Sequence, residues 1–73
     1  MTTKREFGKR LKLAREKQEL MQKDVAEYVG LTPNAIGNWE QGLSYPSAGL
    51  IVDLCVALKI SPNWLFGAPD WRR

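Results

Sequence analysis

Apolar residues recur at helical spacing among the charges of the N-terminal part of the chain. Phe7, Leu11 and Ala14 lie three or four positions apart, and charged residues fill most positions between them. This spacing places the apolar side chains on one face of an amphipathic helix, which we predict from about residue 6 to residue 18. Three basic residues fall on another face of that helix: Arg5, Lys9 and Lys12.

A second helix is predicted from Gln22 to Val29. Its apolar residues Val25, Ala26 and Val29 share an inward face, and Gly30 follows directly. Because glycine adopts the left-handed conformation at the end of a helix without steric cost, Gly30 indicates a sharp turn at this point.

A third helix follows the turn. Thr32 is its predicted N-cap and Pro33 its first residue, a position at which the missing N–H and fixed φ of proline are tolerated. We predict that this helix ends at Gln41–Gly42. Gly37 lies inside the helix and weakens it by about 1 kcal/mol relative to alanine. The missing side chain would also let another molecule approach the backbone.

Two more helices are predicted in the C-terminal half of the chain. Ser47 is the N-cap of a fourth helix that ends at Leu58. The pair Ser61-Pro62 starts a short fifth helix over residues 63–66, and Gly67 ends it. The apolar face of the fourth helix consists of Ile51, Leu54, Cys55 and Leu58.

The chain shows no strand-like alternation, internal repeat or low-complexity segment. With 73 residues it can build one small core but not two. We therefore predict an all-α, compact five-helix domain over residues 1–67. Residues 68–73 are predicted to be a C-terminal tail or the start of a linker.

Composition narrows the possible functions. The chain has no histidine and a single cysteine, Cys55, so it offers no disulfide, metal-ligand cluster or nucleophile–base pair. We expect Cys55 to be a core residue, and the protein to need no cofactor or metal and not to be an enzyme. No apolar run approaches a membrane span, and the N-terminus lacks the apolar core of a signal peptide. We therefore expect a cytoplasmic protein without a membrane partner or a small-molecule substrate.

Positive charge is concentrated near the N-terminus. The formal net charge is +3, but residues 1–23 carry eight lysines and arginines against three glutamates. Residues 24–58 contain four acidic residues and no lysine or arginine. Attraction to a polyanion would therefore come mainly from the N-terminal region.

Two short helices joined by a tight turn can form a unit in which the first helix braces the second. The chain resembles the helix-turn-helix of phage repressors and Cro proteins, and the resemblance covers residues 7–67. The residues that carry it are Gln22-x-x-Val25-Ala26-x3-Gly30-Leu31-x4-Ile36-x2-Trp39-Glu40-x-Gly42-x3-Pro46, with Arg15, Leu54, Leu58, Ser61 and Leu65 around them. The resemblance implies a lambda-repressor-like fold in which the third helix, Thr32 to Gln41, enters the major groove of DNA.

The resemblance also implies which residues read bases. Asn34 and Asn38 are four positions apart and point from one face of the third helix, and each amide can bond N6 and N7 of adenine. Many relatives have glutamine at the position of Pro33, whereas proline can offer only an apolar contact to a base. The expected base contacts are therefore Pro33, Asn34 and Asn38.

Contacts to the DNA backbone are expected from a larger set of residues. On the first helix Lys9 and Arg10 are the preferred phosphate contacts. The resemblance further implies an ion pair between Arg15 and Glu40, which would join the first helix to the third. The expected backbone contacts are Lys9, Arg10, Arg15, Gln22, Lys23, Thr32, Gln41, Ser44 and Tyr45.

The sequence departs from the family pattern before the second helix. Met21 replaces the usual small polar cap, and Glu19 replaces a glycine that often ends the first helix. Trp39 and Trp64 are expected to be packing residues rather than base-stacking ones.

The function implied by the resemblance is sequence-specific binding of double-stranded DNA by a transcriptional regulator. We expect a repressor that binds a palindromic operator as a homodimer. The alternative is an antitoxin or a protein-interaction module with the same fold. Val52, Val56 and Leu43 weakly favour a protein interface, and homodimerisation is their expected use.

Overall fold

The computed structural model describes residues 3–67, and these residues form five α-helices without a strand. The all-α, five-helix prediction is confirmed. The predicted tail over residues 68–73 lies outside the described residues. The helices are α1 (Lys4–Lys17), α2 (Gln22–Val29), α3 (Pro33–Glu40), α4 (Ala48–Leu58) and α5 (Pro62–Phe66).

Three of the helices begin at a side-chain cap. The Thr3 hydroxyl accepts a hydrogen bond from the Glu6 amide at 3.1 Å, so α1 begins two residues earlier than predicted. Ser47 accepts from the amide of Leu50 at 3.4 Å, and Ser61 accepts from the amide of Trp64 at 3.1 Å. Each hydroxyl satisfies an amide that the helix itself leaves without a partner.

The other two helices begin differently. Thr32 occupies the N-cap position of α3, but its side chain makes no capping hydrogen bond, so the prediction that it caps the helix holds for its position alone. Pro33 as the first residue of α3 reduces the number of amides that need a partner. At α2 the N-cap is Met21, whose amide donates to the carboxylate of Asp24 at 2.8 Å.

One core holds the helices together. Phe7 lies near its centre, with its ring centroid 5.2 Å from that of Tyr45 and 5.1 Å from that of Phe66. Trp39 is buried as expected, whereas Trp64 is 36% exposed and is not a core residue. The largest fully buried side chains are Phe7, Leu11, Val25, Ile36, Leu54, Leu58 and Leu65.

The free thiol of Cys55 also lies in this core, on the apolar face of α4. Desolvation by burial raises its pKa above the ordinary value. A thiol with a raised pKa is less often the reactive thiolate, which agrees with a packing role for this residue.

α1 crosses very close to the C-terminal end of α3. Gly8 lies at the crossing, and a Cβ atom at this position would overlap the backbone carbonyl groups of Trp39 and Glu40. Only glycine lets the two helix backbones come this close.

An ion pair joins the same two helices seven residues further along α1, at Arg15. The Arg15 Nε atom lies 2.6 Å from a carboxylate oxygen of Glu40, and its Nη2 atom donates to the other oxygen at 3.1 Å. The Nη1 atom donates to the carbonyl of Leu20 at 2.8 Å. The two charged side chains are only 11% and 4% exposed, and the hydrogen bond to Glu40 raises the pKa of Arg15 above its ordinary value.

The turn between α1 and α2 contains a residue in an unfavourable conformation. Glu19 has a φ of 59°, which lies in the left-handed region. Its amide donates to the carbonyl of Glu16 at 2.9 Å, and the amide of Leu20 donates to the carbonyl of Arg15 at 3.1 Å. These hydrogen bonds end α1 in the same arrangement that a left-handed glycine gives at the end of other helices.

Replacing Glu19 by glycine should therefore stabilise the protein. The left-handed conformation costs a non-glycine residue about 1–2 kcal/mol, and the greater flexibility of unfolded glycine offsets part of the gain. Glu19→Gly should raise the free energy of unfolding by about 0.5–1 kcal/mol. As a control, Glu27→Gly in the exposed middle of α2 should lower it by about 1 kcal/mol. Urea unfolding followed by circular dichroism measures both, and a Glu19→Gly protein less stable than the parent would contradict the assignment.

A second prediction concerns the Arg15–Glu40 pair. Glu40→Ala leaves the guanidinium buried without its partner, so it should lower the free energy of unfolding by about 3 kcal/mol. The double variant Arg15→Met with Glu40→Leu removes both charges and fills the space with apolar atoms. It should be more stable than Glu40→Ala alone. Equal unfolding midpoints for the parent protein and Glu40→Ala would show that the pair does not stabilise the fold.

Candidate nucleic-acid interface

α2 and α3 form a helix-turn-helix unit. Gly30 ends α2 with a φ of 77°, and the amide of Leu31 reaches back to the carbonyl of Ala26 at 2.8 Å. This turn brings α3 across α2. Ile36 and Trp39 of α3 are 0% and 6% exposed, so that side of α3 is held in the core and its opposite side faces outward.

The outward side of α3 is polar and uncharged. Asn34 and Gln41 are exposed, and Asn38 between them is half-buried. Their positions, four and three residues apart, place them along one stripe of the helix. Within residues 3–67, neither asparagine amide has a side-chain hydrogen bond to another residue. Pro33 is exposed at the start of the same helix.

Gln22 lies beside this stripe and is fixed by α3. Its amide nitrogen donates to a carboxylate oxygen of Glu40 at 3.0 Å. The Gln22 side chain also covers Gly37, at 3.6 Å from where a Cβ atom of that glycine would be. Gly37 is itself buried, so it does not open the helix backbone to another molecule as expected.

The Glu40 carboxylate accepts hydrogen bonds from Arg15 and from Gln22. It therefore joins α1, the first residue of α2 and the last residue of α3. The sequence pointed to its contact with Arg15 but not to its contact with Gln22. These two residues are 18 positions apart and on different helices, so no periodicity could indicate that they meet.

Most of the other expected contact residues lie near the ends of α3. Lys23 is exposed and lines a shallow surface depression together with Leu31 and Pro33, at the N-terminal end of α3. Thr32 is exposed at that same end. Ser44 is exposed in the loop that follows α3.

Tyr45 is in the same loop, but its ring is held against Phe7 and Phe66. It is 42% exposed, so the residue combines a packing contact with an accessible surface.

The cations of α1 are distributed around the helix. The backbone of Lys4 and Arg5, at the start of α1, packs against Gly42 directly after α3. The guanidinium of Arg10 lies 5.6 Å from the ring centroid of Trp64 and donates to the carbonyl of that residue at 3.3 Å, so it faces α5. Lys9 borders the same depression as Arg10 and Trp64. Arg15 is enclosed in its pair with Glu40. Lys9 and Arg10 therefore lie away from the polar stripe of α3, whereas Arg15 lies at the end of α3 with its guanidinium paired to Glu40.

Between residues 3 and 67, no helix is long and apolar enough to cross a membrane. The same part of the chain has no group of three or more acidic or cysteine side chains that could hold a metal ion.

Curated relatives of this chain are transcriptional regulators by name. The chain is 33% identical over 64 residues to the HTH-type transcriptional regulator ImmR of Bacillus subtilis. The matched region covers 88% of this chain and 50% of ImmR. It is 30% identical over 59 residues to an uncharacterised HTH-type transcriptional regulator of Sinorhizobium fredii, covering 81% of this chain and 41% of the relative. The chain thus spans about half the length of these relatives.

Solved structures share the fold. The P22 c2 repressor, in complex with a synthetic operator, superposes with a TM-score of 0.81 at 28% identity, over 86% of this chain and 96% of the repressor chain. The restriction-modification controller protein C.AhdI of Aeromonas hydrophila gives a TM-score of 0.80 at 35% identity, over 86% and 91% of the two chains. The helix-turn-helix family model matches residues 11–65, which are most of this chain. With the geometry of α2 and α3, these matches show that the chain belongs to the helix-turn-helix family.

Proposed function

We propose that this protein is a transcriptional regulator, most simply a repressor, that binds a specific double-stranded DNA operator through α3. The observation that carries the proposal is the polar, uncharged outer stripe of α3, on a helix whose other side is anchored in the core. Such a helix fits the major groove, which admits one α-helix. The P22 c2 repressor, whose fold this chain shares, is described with its operator.

Asn34 and Asn38 are the proposed base readers. An asparagine amide offers one donor and one acceptor side by side, which complement N7 and the N6 amino group of adenine. Asn38 is half-buried, so its side chain has fewer orientations to lose when it binds a base. Pro33 would contact a base through its apolar ring alone.

The proposed backbone contacts surround this stripe. Gln22, held by Glu40, keeps a second N–H for a phosphate oxygen. Lys23 supplies the positive charge at the N-terminal end of α3. The remaining proposed contacts are Thr32, Gln41, Ser44 and Tyr45. Lys9 and Arg10 are left out of this set because both lie on the α5 side of α1, and Arg15 would act through Glu40 and Gln22 rather than on DNA.

A homodimer on a palindromic operator is the second part of the proposal. Val52 and Val56 of α4 are 58% and 63% exposed, and Leu43 before α4 is 62% exposed. The two valines form one apolar surface with Ile60 and Pro62. A dimer formed through this surface would have to place two α3 helices about 34 Å apart, one turn of DNA, to occupy both half-sites.

We further propose where this regulator acts and what it does not need. A DNA-binding regulator acts where DNA is, so we place it in the cytoplasm. It needs no cofactor, metal or small-molecule substrate, and it is not an enzyme. Its curated relatives are named as regulators, in agreement with this role.

Substitution of a base-reading residue and substitution of a backbone-contacting residue should change DNA binding in different ways. Asn38→Ala should lose about 1–3 kcal/mol of binding to the operator and little on random DNA, because only the operator presents the matching base. Lys23→Ala should weaken binding to the operator and to random DNA alike. It should also lower by about 1 the magnitude of the slope of log binding constant against log salt concentration. Fluorescence anisotropy measures the two affinities, one on a duplex carrying a site selected from a random pool and the other on a duplex of random sequence.

Lys17→Ala is the matched control for Lys23→Ala. It removes the same charge from the side of α1 that lies away from α3, so it should change neither affinity by more than about twofold. If Asn38→Ala weakens operator and random DNA equally, Asn38 reads no base and α3 docks in another way. Thermal unfolding of each variant excludes a simple loss of structure.

The dimer makes a separate prediction. Val56→Glu places a charge in the proposed interface, so the protein should sediment as a monomer and lose roughly a hundredfold in affinity for a palindromic site, while its affinity for a half-site stays the same. Leu13→Glu introduces the same charge at an exposed apolar position of α1 and should leave the dimer intact. If the parent protein at saturation protects only one half-site of a palindromic site, the proposed dimer is contradicted.

A further inference from the structure

Two shallow depressions adjoin on the side of α1 that faces α5, and together we call them the α1–α5 groove. Trp64 of α5 borders both halves of it. Leu13 of α1 is 51% exposed beside it, and Trp64 is 36% exposed. Leu13 and Trp64 border the same one of these depressions, so two large apolar side chains face solvent there.

The rim of this groove is cationic. Lys9, Arg10, Lys17 and Lys59 border it, against the single acidic side chain of Glu6. Lys9 and Lys17 are eight residues apart on α1, which corresponds to two turns and about 12 Å. Acidic side chains two turns apart on another helix would have matching spacing.

Arg10 is already positioned at this rim. Its guanidinium is fixed over the Trp64 ring, with one N–H bonded to the Trp64 carbonyl. A guanidinium has five N–H donors, so most of them remain for a carboxylate. Because its conformation is set before binding, less side-chain entropy is lost when an acidic group pairs with it.

We propose that the α1–α5 groove binds an acidic amphipathic segment of a partner protein. Its apolar side chains would cover Leu13 and Trp64, and its carboxylates would pair with Lys9, Arg10 and Lys17. Charge complementarity commits the site to this occupant, since a basic or neutral segment would leave the cationic rim uncompensated.

The chain itself is a poor occupant. Residues 68–73 carry Arg72 and Arg73 against Asp70, so their net charge has the same sign as the rim. Two copies that met groove to groove would bring their cationic rims together, which costs free energy.

Nucleic acid is also a poorer match. A phosphate backbone could pair with the lysines, but it would leave Leu13 and Trp64 without apolar partners. The groove lies away from the α3 side of α1, where Gly8 and Arg15 contact α3. An acidic segment could therefore bind while α3 is on DNA, and this inference does not depend on which operator α3 reads.

The test uses the full chain labelled with nitrogen-15 and a synthetic 14-residue peptide with leucines at positions i, i+3, i+4 and i+7, glutamates beside them and alanines at the remaining positions, which favour a helix. Titration followed by amide NMR should move the signals of α1 and α5 around Leu13 and Trp64 most. Lys17→Glu and Leu13→Asp should each weaken binding at least tenfold. Lys23→Glu, the same charge reversal beside α3, should change it by less than twofold.

Three results would overturn the inference. Shifts centred on α3, with Lys23→Glu as harmful as Lys17→Glu, would mean that the peptide only imitates DNA. Equal binding of a peptide of the same composition with scrambled leucines would mean that charge alone attracts it. Concentration-dependent shifts in the groove without peptide would assign the surface to a second copy. Thermal unfolding of Lys17→Glu and Leu13→Asp checks that both remain folded.

Discussion

The rest of this structure depends on the close contact between α1 and the C-terminal end of α3. Gly8 lets the two backbones approach, and the buried pair of Arg15 and Glu40 holds them in one register. A buried ion pair adds little net stability, because desolvation offsets most of the attraction. Breaking it is costly, however, so the pair strongly disfavours other arrangements of the two helices. The orientation of α3, and with it the direction of its polar stripe, follows from this contact.

Glu40 carries that constraint from the core to the surface. One carboxylate binds the guanidinium of α1 and the Gln22 amide at the start of α2. Gln22 is thereby ordered before any ligand is present, and an ordered polar side chain loses less entropy on binding than a mobile one. The same side chain lies beside Gly37, which is buried, so α3 offers a ligand its side chains rather than its backbone.

The cations of α1 do not share one face of the helix. Arg15 is internal, Arg10 rests on Trp64, and Lys17 lies on the side that faces α5. A helix presents successive residues at about 100° to one another, so a basic segment distributes its charge around the axis. Net charge at the N-terminus therefore does not measure how much charge reaches one particular face. That distribution leaves a cationic groove with an apolar centre on the side of α1 away from α3.

The sequence by itself determined the five helices, their caps at Ser47 and Ser61, and the turn at Gly30, because these features depend on local chemistry and spacing. It also placed Asn34 and Asn38 on one face of α3, which follows from helical periodicity alone. Only the tertiary structure decided that Gln22 meets Glu40 and that Arg10 turns toward α5. Those contacts join residues 18 and 54 positions apart, and their existence depends on how the helices cross. Helix crossing is set by packing of the whole core, which no local pattern in the sequence encodes.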